Sequence, residues 1–208
     1  MELLKLFCLG KYEVTQAQWQ AVMGNNPSEF QAPANPVEQV SWEDIQAFLA
    51  KVNAAGPRLV PAAGTARLAT EMKYALPTEA QWEYACRAGT TTAFCFGDSP
   101  AIFGQYGWFT DNSGGKTHPI GGLKPNAWGL YDVHGNVWEW CADRYDRGYY
   151  ANSPTDDPPG PTSGSDRVHR GGGWNTQSRH CRLAFRRSFA PSYRYSHLGF
   201  RLALVPTE

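Results

Sequence analysis

Glycine and proline recur so often in the second half of this chain that long helices and strands have little room there. The 208 residues include 21 glycines and 15 prolines, and both residue types favour turns and interrupt regular elements. After Gly89, short apolar or aromatic stretches alternate with Gly, Asn, Asp and Pro. The pattern predicts one α+β domain over residues 1–208, with two to three helices, a small antiparallel sheet and about half of the chain in ordered loops.

The first half of the chain contains three sequence patterns that are typical of helix starts. Thr15-Gln16-Ala17-Gln18 and Thr78-Glu79-Ala80-Gln81 are capping boxes, in which the threonine hydroxyl and the glutamine side chain satisfy free amides of the first turn. The first helix is predicted to stop at Gly24, and the helix after Thr78 near Gly89, since glycine favours helix C-termini. Apolar residues at helical spacing follow Ser41, so a further helix is predicted to begin there.

Strands are harder to place because the apolar stretches are short. The candidate strands are Val137–Ala142, Val168–Gly173, Cys181–Arg186 and Leu198–Leu204. Between the second and third helices, Asn53–Tyr74 is rich in Ala, Gly and Pro. We interpret this segment as a surface excursion.

The charges of the chain argue against two classes of partner and leave the role of its C-terminal arginines open. The formal net charge is zero, which gives no reason to expect binding to nucleic acid or to an anionic membrane. From Arg167 to Ala203, however, there are eight arginines and neither Asp nor Glu. These arginines either form a surface for anionic ligands or act as framework partners for carboxylates elsewhere in the chain.

The cysteines and the N-terminus indicate a reducing compartment. Five cysteines lie far apart and form no C-x-x-C motif, so we expect most of them to be small buried hydrophobic residues, with one disulfide still open. Residues 1–10 are interrupted by Lys5 and lack the form of a signal peptide. No stretch approaches the roughly 20 apolar residues of a membrane helix. We therefore expect a cytoplasmic protein without a membrane span; the oligomeric state stays open.

Several motifs along the chain resemble the formylglycine-generating-enzyme, or sulfatase-modifying factor, family in order and spacing. They are Lys11-Tyr12-Glu13-Val14-Thr15, Asn35-Pro36-Val37, Leu76-Pro77-Thr78-Glu79-Ala80-Gln81-Trp82-Glu83-Tyr84-Ala85, Pro125-Asn126-Ala127-Trp128-Gly129-Leu130-Tyr131-Asp132, Gly135-Asn136-Val137-Trp138-Glu139-Trp140, Arg170-Gly171-Gly172-Gly173-Trp174 and Leu198-Gly199-Phe200-Arg201. The resemblance implies a C-type-lectin-like fold.

The same resemblance implies a calcium loop. The segment from Asp132 to Glu139 is similar to one of the calcium loops of the family, with Asp132 and Glu139 as charged ligands and Gly135 and Val137 offering carbonyl oxygens. Calcium prefers such sets of hard oxygen ligands. The alternative is that Glu139 pairs with a framework arginine and binds no ion.

The family's catalytic branch implies copper, but this sequence departs from it. There, two cysteines in a Trp-x-Cys-x-x-x-x-Cys arrangement bind Cu(I) and support oxidation of a substrate cysteine to formylglycine. Cys181 matches the second cysteine, whereas Thr176 stands in the place of the first. A hydroxyl is a poor ligand for Cu(I), so we expect neither copper nor oxidase activity.

A second resemblance concerns the segment 167–204, which is similar to the variable regions of proteins that retroelements diversify at adenine-containing codons. The predicted framework is Arg170, Gly171, Gly172, Trp174, Arg179, Cys181, Arg182, Ala184, Arg186, Pro191, Arg194, Leu198, Gly199, Phe200 and Arg201. The predicted variable, ligand-binding positions are Asn175, Thr176, Gln177, His180, Phe185, Arg187, Ser188, Phe189, Ala190, Tyr193, Tyr195, Ser196 and His197.

The variable positions have the chemistry of an adaptable binding surface. Tyrosine offers large contact area at low entropic cost, and Ser and Asn offer hydrogen bonds. We therefore predict a non-catalytic protein that displays a hypervariable surface, with a protein as its ligand because a dozen dispersed positions form a broad patch rather than a pocket. The alternatives are a copper-dependent formylglycine-generating oxidase and an inactive accessory domain of that family.

Overall fold

The computed structural model describes residues 3–56 and 72–207. Within these ranges lie three α-helices, α1 Gln16–Met23, α2 Trp42–Ala54 and α3 Glu79–Arg87. The strands are β1 Cys8–Leu9, β2 Met72–Ala75, β3 Trp138–Arg144, β4 Arg167–Arg170, β5 Arg187–Phe189, β6 Leu198–Gly199 and β7 Ala203–Pro206. Short 3-10 helices cover Pro100–Gln105, Tyr149–Ala151 and Ser178–His180. The predicted α+β class with few helices and many ordered loops is confirmed.

The three helices begin where the sequence predicts. Thr15, Ser41 and Thr78 each cap a helix, and a capping box closes reciprocally at all three starts. Helix α1 ends at Gly24 in a left-handed conformation with a φ of 84°. Helix α3 ends one residue before the predicted glycine, at Ala88, which takes the left-handed conformation itself.

The strands form two small sheets rather than one. Strand β7 lies between β1 and β2 and is antiparallel to both. The second sheet has the order β5-β4-β3-β6. Its β5–β4 and β4–β3 pairs are antiparallel, but β3 and β6 are parallel. The expectation of a purely antiparallel sheet is therefore wrong at this last pair, where the chain returns to β3 through a long connection.

Two of the four candidate strands are largely correct. Strand β3 covers most of Val137–Ala142, and β4 covers the first part of Val168–Gly173. Strand β4 ends at Arg170 because Gly171 and Gly172 take positive φ values of 95° and 86°. A side chain at Gly172 has no space, since its Cβ would lie 2.2 Å from the Cys181 sulfur.

The prediction of a strand at Cys181–Arg186 is wrong. The backbone there follows a 3-10 turn and a further turn, in which the Phe185 amide donates to the Arg182 carbonyl. The carbonyl of Leu183 accepts from the buried guanidinium of Arg170. Because these groups take the backbone hydrogen bonds, the strand begins later, at Arg187.

The predicted strand Leu198–Leu204 is divided into β6 and β7 by Arg201. This arginine turns into the interior, and its side chain is fully buried. The segment between the two strands still bonds to the rest of the fold, because Val14 donates to the Phe200 carbonyl and Gly10 to the Leu202 carbonyl. The two ends of the predicted strand thus belong to different sheets.

Part of the predicted excursion Asn53–Tyr74 lies outside the described residues, namely 57–71. Its two ends belong to regular elements. Asn53 lies in α2 and its side-chain amide bonds both backbone groups of Tyr74 in β2, at 2.8 and 2.9 Å. This pair of hydrogen bonds joins the end of the helix to the strand.

Aromatic side chains fill the main core between α1, α2 and the β3 sheet. Trp19 and Phe48 stack with their ring centroids 5.2 Å apart, and Phe200 packs edge-on against both. Trp140 is fully buried in the same cluster and donates to the Val40 carbonyl. Burial of such large side chains is the main favourable contribution to folding here.

A buried ion pair between Arg201 and Glu139 joins the two sheets to α3. The guanidinium donates twice to the carboxylate, at 2.6 Å each, and to the carbonyls of Gly10 and Tyr131, at 3.0 Å each. Trp82 of α3 donates to the same carboxylate at 2.7 Å. Arg201 thus bonds to its carboxylate partner in β3 and to two further parts of the chain, at Gly10 and Tyr131.

The disulfide that the sequence left open is not formed. All five cysteines are free thiols, and Cys86, Cys141 and Cys181 are buried. Among the described residues, no helix has the length and apolar character needed to cross a membrane.

Replacing Arg201 by methionine should lower the free energy of unfolding by about 3–5 kcal/mol, because Glu139 would stay buried without its charged partner. The matched control is Arg194→Met. Arg194 also forms a two-fold hydrogen-bonded pair with a carboxylate, that of Asp44, but both groups are partly exposed, and the loss should be about 0–1 kcal/mol. Urea unfolding of the two variants measures the difference. Equal losses would contradict the central place of the buried pair.

Candidate functional site

Most of the predicted variable positions are accessible and several of them contact one another, and we call this set the display face. Five are exposed and the others are half-buried, with Thr176 as the exception. The display face comprises Asn175, Gln177, His180, Phe185, Arg187, Ser188, Phe189, Ala190, Tyr193, Tyr195, Ser196 and His197. The exposure that a binding surface needs is thus present at these positions.

An aromatic group forms the centre of the display face. The Phe189 ring lies 5.5 Å from Tyr193 and 5.2 Å from Tyr195, measured between centroids. Tyr195 stacks on His197 at 5.1 Å, and His197 approaches the side-chain amide of Asn175 at 3.2 Å. Tyr193 and Tyr195 keep 48% and 39% of their surface exposed. These rings are therefore available for contact while they support each other.

A buried histidine supports this aromatic group from below. His169 of β4 stacks on Phe189 with centroids 4.6 Å apart and packs edge-on against Trp138 and Trp140. Burial, together with the charges of Arg187 and His197, lowers the pKa of His169 to about 3. The ring is therefore neutral at pH 7 and acts as part of the apolar floor of the face.

The backbone of the display face is held by the core elements beneath it. The Trp138 amide of β3 donates to the His197 carbonyl at 2.8 Å, and Gln39 donates to the Tyr195 carbonyl at 3.0 Å. Arg194 pairs with Asp44 in the first turn of α2. Main-chain and framework bonds thus hold the loop, and the shape of the loop depends little on the exposed side chains.

Thr176 does not belong to the display face. Its hydroxyl accepts hydrogen bonds from the Trp138 indole and from the Gly173 amide, both at 3.1 Å. The side chain is buried, which sets Thr176 apart from the other predicted variable positions. A buried threonine with these two donors closes the turn that follows β4.

Cys181, the match to the second copper cysteine, lies in a closed apolar setting. Its side chain is fully buried beside Phe94 and Phe103. Burial raises the pKa of its thiol to about 12, and the sulfur donates weakly to the Gln177 carbonyl at 3.7 Å. Since the thiolate is the metal ligand and nucleophile, a protonated buried thiol offers little of either chemistry.

Glu139, one of the two charged ligands expected for calcium, is already paired inside the protein. Both carboxylate oxygens of Glu139 are taken by Arg201 and Trp82, which is the alternative that the sequence left open. The guanidinium supplies the positive charge that a cation would bring. Within residues 3–56 and 72–207, no group of three or more His, Cys, Asp or Glu side chains is placed to hold a metal ion.

Asp132 is only partly engaged, because one oxygen of its carboxylate is buried without a hydrogen-bond partner among the described residues. Asp132 accepts from the Gly121 amide at 2.7 Å, and burial raises its pKa to about 6. The Val137 amide donates to Glu13, and the Gly135 amide to the Gly171 carbonyl. The pKa of Glu13 lies well above its usual range, first because of burial and then because of the nearby carboxylates. The loop is held together by these internal bonds.

Sequence reasoning missed two surface residues that adjoin the display face. Arg179 and Arg182 were predicted to belong to the framework, yet both are exposed. The predicted framework residues Ala184 and Arg194 are exposed as well. The run from Arg167 to Ala203 without Asp or Glu was the available signal, but spacing alone does not separate exposed arginines from buried ones.

Solved structures share this fold. Treponema denticola variable protein 1 is 36% identical, with a TM-score of 0.85 over 96% of this chain and 84% of that one. PvdO from Pseudomonas aeruginosa is 25% identical, with a TM-score of 0.77 over 96% and 80% of the two chains. The Major Tropism Determinant U1 variant, at 13% identity and a TM-score of 0.52, shares the fold alone. The predicted C-type-lectin-like, formylglycine-generating-enzyme-type fold is confirmed.

Sequence comparison leads to the same family. The formylglycine-generating enzymes of Streptomyces coelicolor and Thermomonospora curvata are each 35% identical to this chain and match 91% and 93% of it. The chain spans 59% and 63% of the length of these two relatives. Residues 1–205 match the family model for the sulfatase-modifying factor enzyme 1-like domain. The chain therefore belongs to the sulfatase-modifying factor enzyme 1-like family.

Proposed function

We propose that this chain is a non-catalytic ligand-binding domain that displays a retroelement-diversified surface on a C-type-lectin-like scaffold. The observation that supports the proposal is the display face, where the predicted variable positions, Thr176 excepted, are exposed or half-buried and several of the aromatic ones contact one another. The structural likeness to a protein named for its variability, at 36% identity, supports the same function.

The side chains of the display face suit contact with a protein ligand. Phe189, Tyr193 and Tyr195 form a mutually supported aromatic group, and aromatic side chains with few rotatable bonds lose little entropy on binding. Asn175, Gln177 and other polar neighbours add hydrogen-bonding groups around them. The positions spread over a broad surface rather than into a deep pocket, which favours a macromolecular ligand over a small molecule.

The residues that hold the backbone of the display face also differ from those proposed to bind the ligand. The loop that carries the display face is bonded through main-chain groups and through the framework residues described above. Substitution at an exposed position such as Gln177 leaves these bonds in place, and surface changes of this kind usually cost less than about 0.5 kcal/mol. A segment of this kind tolerates many sequences on one backbone.

Sequencing of the genomic locus tests the diversification directly. We expect a near-repeat of the coding segment for residues 170–201 close to a reverse transcriptase gene. The two copies should differ at adenines in the codons of display-face residues, and the codons of buried residues such as Thr176 and Cys181 should agree. A complete genome without such a repeat would contradict the proposal.

The alternative function, a copper-dependent oxidase, is favoured by the family membership and by the two relatives named as formylglycine-generating enzymes. Against it stand two observations at the expected copper site. Thr176 bonds to Trp138 and Gly173 through the hydroxyl that replaces the first thiol. Cys181 is buried with a raised pKa. The expected copper site therefore does not present the two soft thiolates that Cu(I) prefers.

Copper binding and turnover decide between the two functions. The wild-type chain should neither compete with a colorimetric chelator for Cu(I) nor convert a Cys-x-Pro-x-Arg peptide to its formylglycine form, as followed by mass spectrometry. The Cys181→Ala variant controls for copper held by the other four cysteines. Stoichiometric Cu(I) binding that is lost in this variant, together with peptide conversion by the wild-type chain, would establish the oxidase instead.

We further propose that the fold does not depend on calcium, because Arg201 already balances Glu139. Titration of chelator-treated protein with calcium should give no heat of binding and no change in melting temperature. A specific ion at 100 times its dissociation constant would stabilise the fold by about 2.7 kcal/mol, so binding would be visible. A rise in melting temperature that disappears in the Asp132→Asn variant would show that the loop binds calcium after all.

A further inference from the structure

The arginines between Arg167 and Ala203 divide into two groups in the folded chain. Four of them form ion pairs with carboxylates: Arg170 with Glu79 and Glu83, Arg186 with Glu79, Arg194 with Asp44 and Arg201 with Glu139. Arg167 lies over the Trp42 ring, with its guanidinium carbon 3.9 Å from the centroid. The remaining three, Arg179, Arg182 and Arg187, are exposed. Among the described residues, these three have no carboxylate within ion-pair distance.

The three free arginines act on the same region of the display face. Besides burial, the charges of Arg179, Arg187 and Arg182 lower the pKa of His180. Arg182 lies over the Phe185 ring, with its guanidinium carbon 5.9 Å from the centroid, and His180 packs on Phe185 at 4.8 Å. The positive charges therefore border the aromatic part of the face rather than a separate surface.

The positive charge of this region comes from arginine alone at neutral pH. The pKa values of His180 and His197 lie below their usual value, first because of burial and then because of the neighbouring arginines. Both rings are therefore mainly neutral at pH 7. Asp111 lines the same shallow cleft as Arg179, beside Gln177 and Ser178, but it forms no ion pair with this arginine.

We propose that the display face selects an acidic segment of a protein partner. In this arrangement, Asp or Glu side chains of the partner pair with Arg179, Arg182 and Arg187, and neighbouring apolar side chains pack on the rings of Phe185 and Phe189. This inference rests on the proposed binding function and names the class of its ligand. Unpaired arginines beside aromatic rings are well suited to this role, because guanidinium groups bind carboxylates through two parallel hydrogen bonds.

Two of the three arginines belong to the predicted framework of the segment. Arg179 and Arg182 are framework positions, and Arg187 is a display-face position. If diversification spares the framework, the preference for acidic ligands is a property of the scaffold itself. The variable side chains would then choose among acidic partners, since charge steers encounter and rejects like-charged surfaces while packing supplies the specific affinity.

Charge complementarity favours an acidic protein over a nucleic acid. Nucleic-acid-binding surfaces usually belong to basic domains with an extended stripe of Lys and Arg. This chain has a formal net charge of zero, and its three free arginines lie near the aromatic and histidine side chains of the display face rather than along an extended stripe. A few carboxylates spaced among apolar side chains match that distribution.

Selection from a phage-displayed random peptide library tests the proposal on the intact chain. Peptides recovered on the wild-type protein should be enriched in Asp and Glu relative to the starting library. The best peptide is then synthesised, and its affinity is measured by fluorescence anisotropy at two salt concentrations. The triple variant Arg179→Gln/Arg182→Gln/Arg187→Gln should weaken this binding about tenfold, and added salt should weaken it on the wild type.

The matched control removes the same charge elsewhere. Lys51→Gln/Lys73→Gln/Lys124→Gln alters three exposed lysines on α2, on β2 and in the loop after Gly121, and it should leave the affinity unchanged. Equal losses in both triple variants would overturn the proposal, because they would reflect net charge alone. Tighter binding of a labelled single-stranded oligonucleotide than of the acidic peptide would also overturn it.

The outcomes separate this inference from the binding function on which it rests. Recovery of neutral or basic peptides whose capture is lost in Tyr193→Ala/Tyr195→Ala, but kept in the arginine triple variant, would overturn the acidic preference and leave the binding function standing. Failure to enrich any peptide that depends on the display face would contradict both. Melting temperatures of all variants exclude loss of folding as the cause.

Discussion

The ion pair between Arg201 and Glu139 is the constraint on which the rest of the structure depends. A fully buried guanidinium is costly to desolvate, and it is tolerated only when its donors are met by acceptors in good geometry. Here the acceptors are one carboxylate and the carbonyls of Gly10 and Tyr131. These groups come from distant parts of the chain, so the pair forms only when the two sheets and α3 are assembled.

The position of this pair is the reason for our proposal that the Gly135 loop binds no ion. Glu13, Asp132 and Glu139 approach each other in the interior, and burial raises the pKa values of Glu13 and Asp132. Arg201 balances Glu139, Glu13 accepts from the Val137 backbone amide and the Asn136 side-chain amide, and Asp132 accepts from the Gly121 amide through one oxygen. In the proposed calcium-free loop, the Arg201 side chain in the core supplies the positive charge that a cation would bring to Glu139. That core in turn carries the display face, through the bond from Trp138 to the His197 carbonyl.

Arginine residues have two different roles in this protein. Arg170 is buried between Glu79 and Glu83 and holds α3 to the second sheet. Arg182, twelve residues later in the chain, is exposed beside Phe185. Burial and a carboxylate partner make an arginine part of the framework, whereas exposure without a partner makes it available to a ligand. The division gives a neutral chain a locally positive binding face.

The sequence by itself determined the helices, the family and the segment that forms the display face. Capping boxes act through neighbouring residues, so Thr15, Ser41 and Thr78 mark helix starts wherever the rest of the chain lies. The strand boundaries were decided only in the tertiary structure, because β6 and β7 are separated by the inward turn of Arg201 toward Glu139, a residue 62 positions away. The environments of Thr176, Cys181 and Arg179 were decided there too. Exposure depends on what packs against a residue from distant parts of the chain, and no local pattern records those contacts.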